Sequence, residues 1–177
     1  MVQRISLVLR SAVYVTGFFV TLIWLVPSYL GIQISSTSFA SSPTRAIGIL
    51  PLLLGAAIAF WCFINFVVTG SGTPAPFDAP RKLVVTGPYC YVRNPMYIGG
   101  FLFLAGLAMM FVRPSATLLA YAAVLLVAVN LFVFFYEEPT LRRKFGKDYE
   151  EYCQAVRRWV PSLRPWRGNH KQAAAAG

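Results

Sequence analysis

Charge is what this sequence has least of. Only 12% of its residues are Asp, Glu, Lys or Arg, whereas 57% are hydrophobic and the mean hydropathy is +0.60. A soluble domain of this size is not built that way. Six residues are acidic, and His170, near the end of the chain, is the single histidine. That scarcity leaves no His-based metal site and no His-activated nucleophile to be built around Cys62, Cys90 or Cys153. The three cysteines are odd in number and sit in apolar runs or beside basic ones, so free thiols are expected. Internal repeats are absent, and the alanine-rich end, 173–177, is the one segment of low complexity. The net charge of +10 comes from 16 Lys and Arg. These flank apolar runs and form no base-reading motif, so the expected partner is anionic lipid headgroups and not nucleic acid.

What is abundant is long apolar sequence. Runs at about 11–34, 46–69, 96–112 and 116–136 predict membrane helices, against a requirement of about 20 residues for a perpendicular crossing. The first is too long for the core of a signal peptide and reads as a retained helix. The third is short and carries Gly99, Gly100 and Gly106, which fits a tilted, closely packed helix or a re-entrant one. With four crossings, Arg45 and Arg113 fall on one side and the other 14 (16 minus 2) basic residues on the opposite side. The positive-inside rule then places both termini, the loop before residue 95 and the tail in the cytoplasm. From Pro139 the chain turns amphipathic, with Leu141, Phe145, Tyr149, Tyr152, Val156 and Trp159 at helical spacing among Arg and Lys. The expectation is an interfacial helix, open to interruption at Gly146. The fold class expected is an all-α integral membrane protein: a single domain of about four spans and a cytoplasmic C-terminal helix. Segments 70–95 and 137–161 form its cytoplasmic polar region, followed by a tail over 162–177.

Two polar motifs bracket the last pair of apolar runs. Glu137 and Glu138 end the fourth run, and ionisable groups at that depth are costly enough to mark a functional site. Their structural alternative is support for the next helix start or pairing with Arg142 or Arg143. Upstream, Gly87-Pro88-Tyr89-Cys90-Tyr91-Val92-Arg93-Asn94-Pro95-Met96-Tyr97-Ile98-Gly99 opens the third run. Asn94-Pro95 is good helix-start grammar. The same start aims backbone N–H groups at the polar mouth beside Arg93, a natural seat for a carboxylate or phosphate. Gly70-Ser71-Gly72 follows the second run, where glycine ordinarily serves as a helix cap. Cys90 reads as a small filler residue. Asn65 and Asn130, inside runs, read as interhelical hydrogen-bonding groups.

The pattern G-P-Y-x-Y-V-R-N-P-M-Y-x-G, an apolar hairpin, E-E-P and then L-R-R-K-F-G-K-D-Y-E-E-Y resembles the isoprenylcysteine carboxyl methyltransferase and phospholipid methyltransferase superfamily, over roughly Gly70 to Pro161. The resemblance implies an integral membrane enzyme using S-adenosylmethionine, held at the cytosolic face. It implies cofactor-binding roles for Gly70, Gly72, Gly87, Tyr89, Arg93, Asn94, Pro95, Tyr97, Gly99, Glu137 and Glu138. Arg93, Tyr97 and Glu137 are the expected catalytic residues. Asn94 stands where the carboxyl-methylating branch commonly has His, and N-P-M-Y looks more like phosphatidylethanolamine N-methyltransferases.

The chemistry agrees with that cofactor. Its zwitterionic amino acid end suits Arg93 and a helix N-terminus on one side and Glu137/Glu138 on the other. Among Tyr89, Tyr91, Tyr97 and Tyr136, interfacial aromatics in the first place, one or two could meet a sulfonium by cation–π contact. The expected reaction is methyl transfer to a membrane-partitioned acceptor, a phospholipid amine slightly favoured. Carboxyl O-methylation of an isoprenylcysteine-like or other lipophilic substrate is the alternative. An NADPH-dependent membrane reductase and a non-catalytic lipid-binding protein are the remaining readings.

Overall fold

The structure, a computed structural model, describes residues 9, 13, 16–17, 20–32, 43–70, 82–111 and 116–167. Among these residues it is helical, without strands. A π turn over Thr21–Leu25 leads into the short helix α1, Val26–Tyr29. Helix α2 spans Pro43–Asn65 and runs into a π turn over Phe66–Gly70. A 3₁₀ turn over Gly87–Cys90 leads to α3, Pro95–Phe111. Helix α4, Ala116–Phe132, passes through a π turn over Val133–Glu137 into α5, Glu138–Phe145, and α6 follows over Lys147–Ala155.

Two helical stretches, Ala46–Asn65 and Ala116–Phe145, are long and apolar enough to cross a membrane. Both expose large apolar side chains: Leu50, Phe60 and Trp61 on α2, and Leu119, Val124 and Val127 on α4, are open to the surroundings. Helix α3 is apolar but short. Its 17 residues reach about 26 Å at 1.5 Å per residue, less than the roughly 30 Å hydrocarbon layer. The 33–42 and 112–115 connections lie outside the described residues, as does most of the chain before residue 20.

Helices α2 and α3 form the tightest seam in the fold, because glycines on each let the two backbones touch. A Cβ on Gly106 would lie 2.5 Å from the backbone nitrogen of Leu52 and 2.8 Å from the Gly48 carbonyl oxygen. A Cβ on Gly99 would lie 2.9 Å from the carbonyl oxygen of Gly55. In a bilayer, where apolar burial gives helices little reason to associate, such close backbone packing supplies the attraction. Of the three glycines that suggested a closely packed third run, Gly99 and Gly106 face this seam, whereas Gly100 has nothing within 4 Å.

Outside the long helices the packing continues through an extended segment whose side chains alternate. Val84 joins Cys62 and Tyr89 in one buried cluster, while Leu83 and Val85 pack on the other side against Tyr149, Tyr152 and Val156. Period-two alternation lets one strand-like segment serve both. The amphipathic C-terminal region is broken at Gly146, whose φ of +53° is left-handed and costs glycine least. Helix α6 ends at Ala155, so Val156 and Trp159, expected on a helix, lie in an irregular strap. Pro161 disfavours helix at Val160, the residue before it.

Candidate functional site

The π turn at the end of α4 carries the two acidic residues into different surroundings. Successive residues on a helix point about 100° apart, and here Glu138 is buried to 3% exposure while Glu137 is half-buried. Glu138 accepts a fork of two hydrogen bonds from Arg158, Nε to Oε1 at 2.7 Å and Nη2 to Oε2 at 2.8 Å. Arg93 Nη1 approaches the same Oε1 at 3.2 Å. A parallel two-bond fork is the strongest geometry an Arg and a carboxylate can adopt. The hydrogen bond to Glu138 raises the Arg158 pKa above its ordinary value. Its guanidinium also stacks 5.4 Å from the ring centre of Phe134. Glu138 pairs with Arg93 and Arg158, and not with Arg142 or Arg143, the partners of the structural alternative.

Glu137 Oε2 accepts a 2.9 Å hydrogen bond from the Tyr97 hydroxyl. This bond joins the first turn of α3 to the end of α4, and with it the two motifs that the sequence had separated by an apolar hairpin. On the other side of Tyr97, the Trp159 ring sits edge-on at 6.3 Å between centres.

The strap after α6 completes the cluster. The Arg93 backbone N–H donates to the Arg157 carbonyl at 2.9 Å, and the Asn94 side-chain amide donates to the Arg158 carbonyl at 3.2 Å. Further along, the backbone nitrogens of Ser162 and Trp166 donate to the carbonyls of Tyr91 and Cys90. The Tyr152 hydroxyl donates to the Tyr89 carbonyl at 2.7 Å. Burial raises the pKa values of Tyr149 and Tyr152, which keeps both phenols neutral donors.

Five of the candidate residues therefore meet: Arg93, Asn94, Tyr97, Glu137 and Glu138. The others take supporting places. Pro95 is fully buried at the start of α3, Gly99 faces the α2 seam, and the Tyr89 ring turns inward to meet Phe66 edge-on. Gly87, at φ +59°, packs on Asn65, whose side chain accepts a 2.8 Å bond from the Thr86 hydroxyl. Asn130 donates to Leu126 within its own helix instead of reaching across to another. Gly70 ends the π turn after α2, and Gly72 lies outside the described residues. Burial pushes the Cys90 thiol up, away from thiolate chemistry, and the thiol donates to the Val85 carbonyl. Arg158 and Trp159 are the residues that sequence reasoning missed. The signal available was Pro161, which disfavours helix at Val160 but names no partner for the chain before it.

Two carboxylates, two guanidiniums and a phenol thus form one polar cluster at the ends of apolar helices. The phospholipid methyltransferase profile matches residues 43–148, and the chain belongs to that family. Probable protein-S-isoprenylcysteine O-methyltransferases of Oryza sativa, subspecies indica and japonica, are each 34% identical over 92 residues, covering 49% of this chain and 44% of theirs. The nickel-cobalt-cadmium resistance protein NccN of Alcaligenes xylosoxydans xylosoxydans is 26% identical over 130 residues, 73% of this chain and 55% of its own. The chain thus spans about half the length of the curated relatives it matches. No solved structure matches.

Proposed function

We infer that this chain is an integral membrane methyltransferase that uses S-adenosylmethionine and methylates an acceptor dissolved in the bilayer. The observation that carries the reading is the Tyr97–Glu137 bond beside the Arg93–Glu138–Arg158 cluster. It sets acidic, basic and aromatic groups together at the ends of apolar helices, in a chain of the phospholipid methyltransferase family. Four crossings with both termini and the site on the cytoplasmic side accord with the distribution of basic residues.

The residues present fit the cofactor. Arg93 Nε and Trp159 Nε1 are buried donors without an acceptor among the described residues, which suits a carboxylate. Glu137, bonded to a neutral phenol, suits an ammonium. Arg93, Asn94, Tyr97, Glu137 and Glu138 would line the site, with Gly70, Gly72, Gly87, Tyr89, Pro95 and Gly99 shaping the backbone around it. The cofactor supplies an activated methyl group on a sulfonium and its own leaving group. What this chain contributes is orientation and the exclusion of water, the ordinary sources of proximity catalysis. For an amine acceptor, Glu137 would also take the proton that the nucleophile must lose, with Tyr97 holding the carboxylate in place. A carboxylate acceptor needs no base, only a cation to position it.

A phospholipid amine is the acceptor slightly favoured by N-P-M-Y and by the family profile. The rice relatives, named as O-methyltransferases, favour the carboxyl alternative. Incubation of the purified protein with methyl-labelled S-adenosylmethionine and native membrane lipids should place label in the organic extract. Mass analysis then separates a methylated headgroup amine from a methyl ester. Label confined to water-soluble products would refute the lipid acceptor.

A further inference from the structure

The strap after α6 is tied to the fold along one side and bare along the other. The Ser162 N–H donates to the Tyr91 carbonyl at 2.8 Å and the Trp166 N–H to the Cys90 carbonyl at 2.9 Å, and the Trp166 ring packs on Tyr152. Between these two bonds Leu163, Arg164 and Pro165 bulge outward, with Leu163 100% exposed. Val160, at 56%, and the side chains of Arg157 and Arg167 are open as well. No acidic residue lies between Tyr152 and Arg167, so this outward side joins apolar groups to cations with no counter-charge of its own.

A single exposed leucine explains nothing, since any protein surface carries some. Here its surroundings point to one occupant. Arg158 lies 5.4 Å from the ring centre of Phe134, which is exposed at the end of α4 beside the exposed Phe135. On the membrane reading above that end faces lipid, and Val160 and Leu163 emerge shortly after the residue that touches it. Apolar side chains interleaved with guanidiniums suit the interface, where the former enter the acyl boundary and the latter meet headgroups. The distribution of basic residues assigns the strap to the cytoplasmic leaflet, the anionic one.

We propose that the strap docks on an anionic membrane surface: Val160 and Leu163 enter the interface, Arg157, Arg164 and Arg167 hold acidic headgroups, and docking favours the closed strap. When closed, it presents these five side chains on a fixed backbone, so their ordering cost is met before lipid binds. A lipid that binds the closed form better than the open one shifts the strap toward closure. Arg157 and Arg158 are neighbours that part ways, Arg158 turning inward to Glu138 while Arg157 stays exposed. One short segment thus meets lipid on one side and completes the polar cluster on the other. The proposal goes beyond methyl transfer and rests only on the chain's being set in a bilayer.

The full chain is placed in nanodiscs of phosphatidylcholine, alone or mixed with phosphatidylglycerol. Amide hydrogen exchange is followed by mass spectrometry in the peptides holding Arg93, Ser162 and Trp166, whose N–H groups bond strap to loop. A basic residue near an anionic surface is worth about fivefold. Three partly engaged guanidiniums should therefore slow exchange about tenfold or more in the anionic discs, and added salt should reverse the effect. The triple variant Arg157→Gln, Arg164→Gln, Arg167→Gln should exchange within about twofold of the same rate in both lipids. The double variant Val160→Ser, Leu163→Ser should exchange about threefold or more faster than wild type in both. These substitutions alter exposed side chains and leave the backbone bonds and the Arg158 fork in place.

Wild-type exchange indifferent to lipid charge overturns the proposal and leaves the exposed face to an acidic protein partner. A lipid effect retained in the triple variant moves the contact to the arginines of α5 and also overturns it, as does a double variant that exchanges at the wild-type rate. Protein that fails to enter the nanodiscs would bring down the membrane reading along with the docking, a result distinct from loss of docking alone.

Discussion

Substituting Glu138 by Gln should release the C-terminal strap while leaving the long helices in place. Glu138 is 3% exposed and receives three contacts from two guanidiniums, at 2.7, 2.8 and 3.2 Å. Gln keeps the volume but removes the charge and turns an N–H₂ group toward one of the two cations. Removing one partner from a buried pair costs about 3–5 kcal/mol. The Arg158 side chain is 31% exposed and regains some solvation, which lowers the expectation to about 2–4 kcal/mol. Expressed as a population, that is about 30- to 700-fold more open strap at about 1.4 kcal/mol per tenfold. Trypsin reads this directly, because Arg157, Arg158 and Arg167 lie in the strap and none of them precedes a proline. When opening is fast relative to cleavage, the rate follows the open population. The control is Glu137→Gln, which deletes the neighbouring charge but keeps an acceptor for Tyr97; its strap should be cut within about threefold of the wild-type rate, as expected for a change of a few tenths of a kcal/mol. Glu138→Gln cut at the wild-type rate, or both variants cut equally fast, would refute the assignment of Glu138 as the anchor.

Two further predictions test the packing around the site. Gly106→Leu should force α2 and α3 apart, since even a Cβ there falls 2.5 Å from Leu52 N, and should cost at least about 1–3 kcal/mol in reversible unfolding; Gly100→Ala, where nothing lies within 4 Å, should be near neutral. Tyr152→Phe removes a buried donor from the Tyr89 carbonyl and should cost about 1–3 kcal/mol. Burial raises the folded-state pKa of Tyr152, so its contribution is complete below the ordinary phenol value near 10 and is lost as pH rises beyond it. The wild type should therefore weaken more steeply than Tyr152→Phe in alkaline solution, as followed by strap cleavage across pH.

The polar site was legible in the sequence where local chemistry carried the information. Charges at the end of an apolar run are too costly to be incidental, and Arg93 beside a helix start faces the same polar layer, so the meeting of Tyr97 with Glu137 followed from two short motifs. Gly146 was legible as a break for the same local reason, its backbone. Arg158 and Trp159 were not. The positions 149, 152, 156 and 159 have helical spacing, but the chain past Ala155 is decided by backbone bonds to residues 90–93, some sixty positions earlier. Periodicity along a sequence cannot register a partner that far away. The acidic pair was read as one unit, whereas the step of about 100° between successive helix residues turns Glu138 into a buried anchor and leaves Glu137 half-buried.

The pairing of the strap with the 90–93 loop also sets an order of events during synthesis. The loop and the two helices around it emerge well before residues 157–166, which supply the Arg157, Arg158 and Trp166 contacts to it. Once α3 and α4 have emerged, Glu138 therefore has Arg93 but not yet Arg158. The cluster closes only when the last described stretch of chain has left the ribosome and folded back across the mouth. Helix packing and site assembly are in this way successive steps: α2 and α3 can pair on their own glycine seam, and the polar cluster is closed afterwards by the strap.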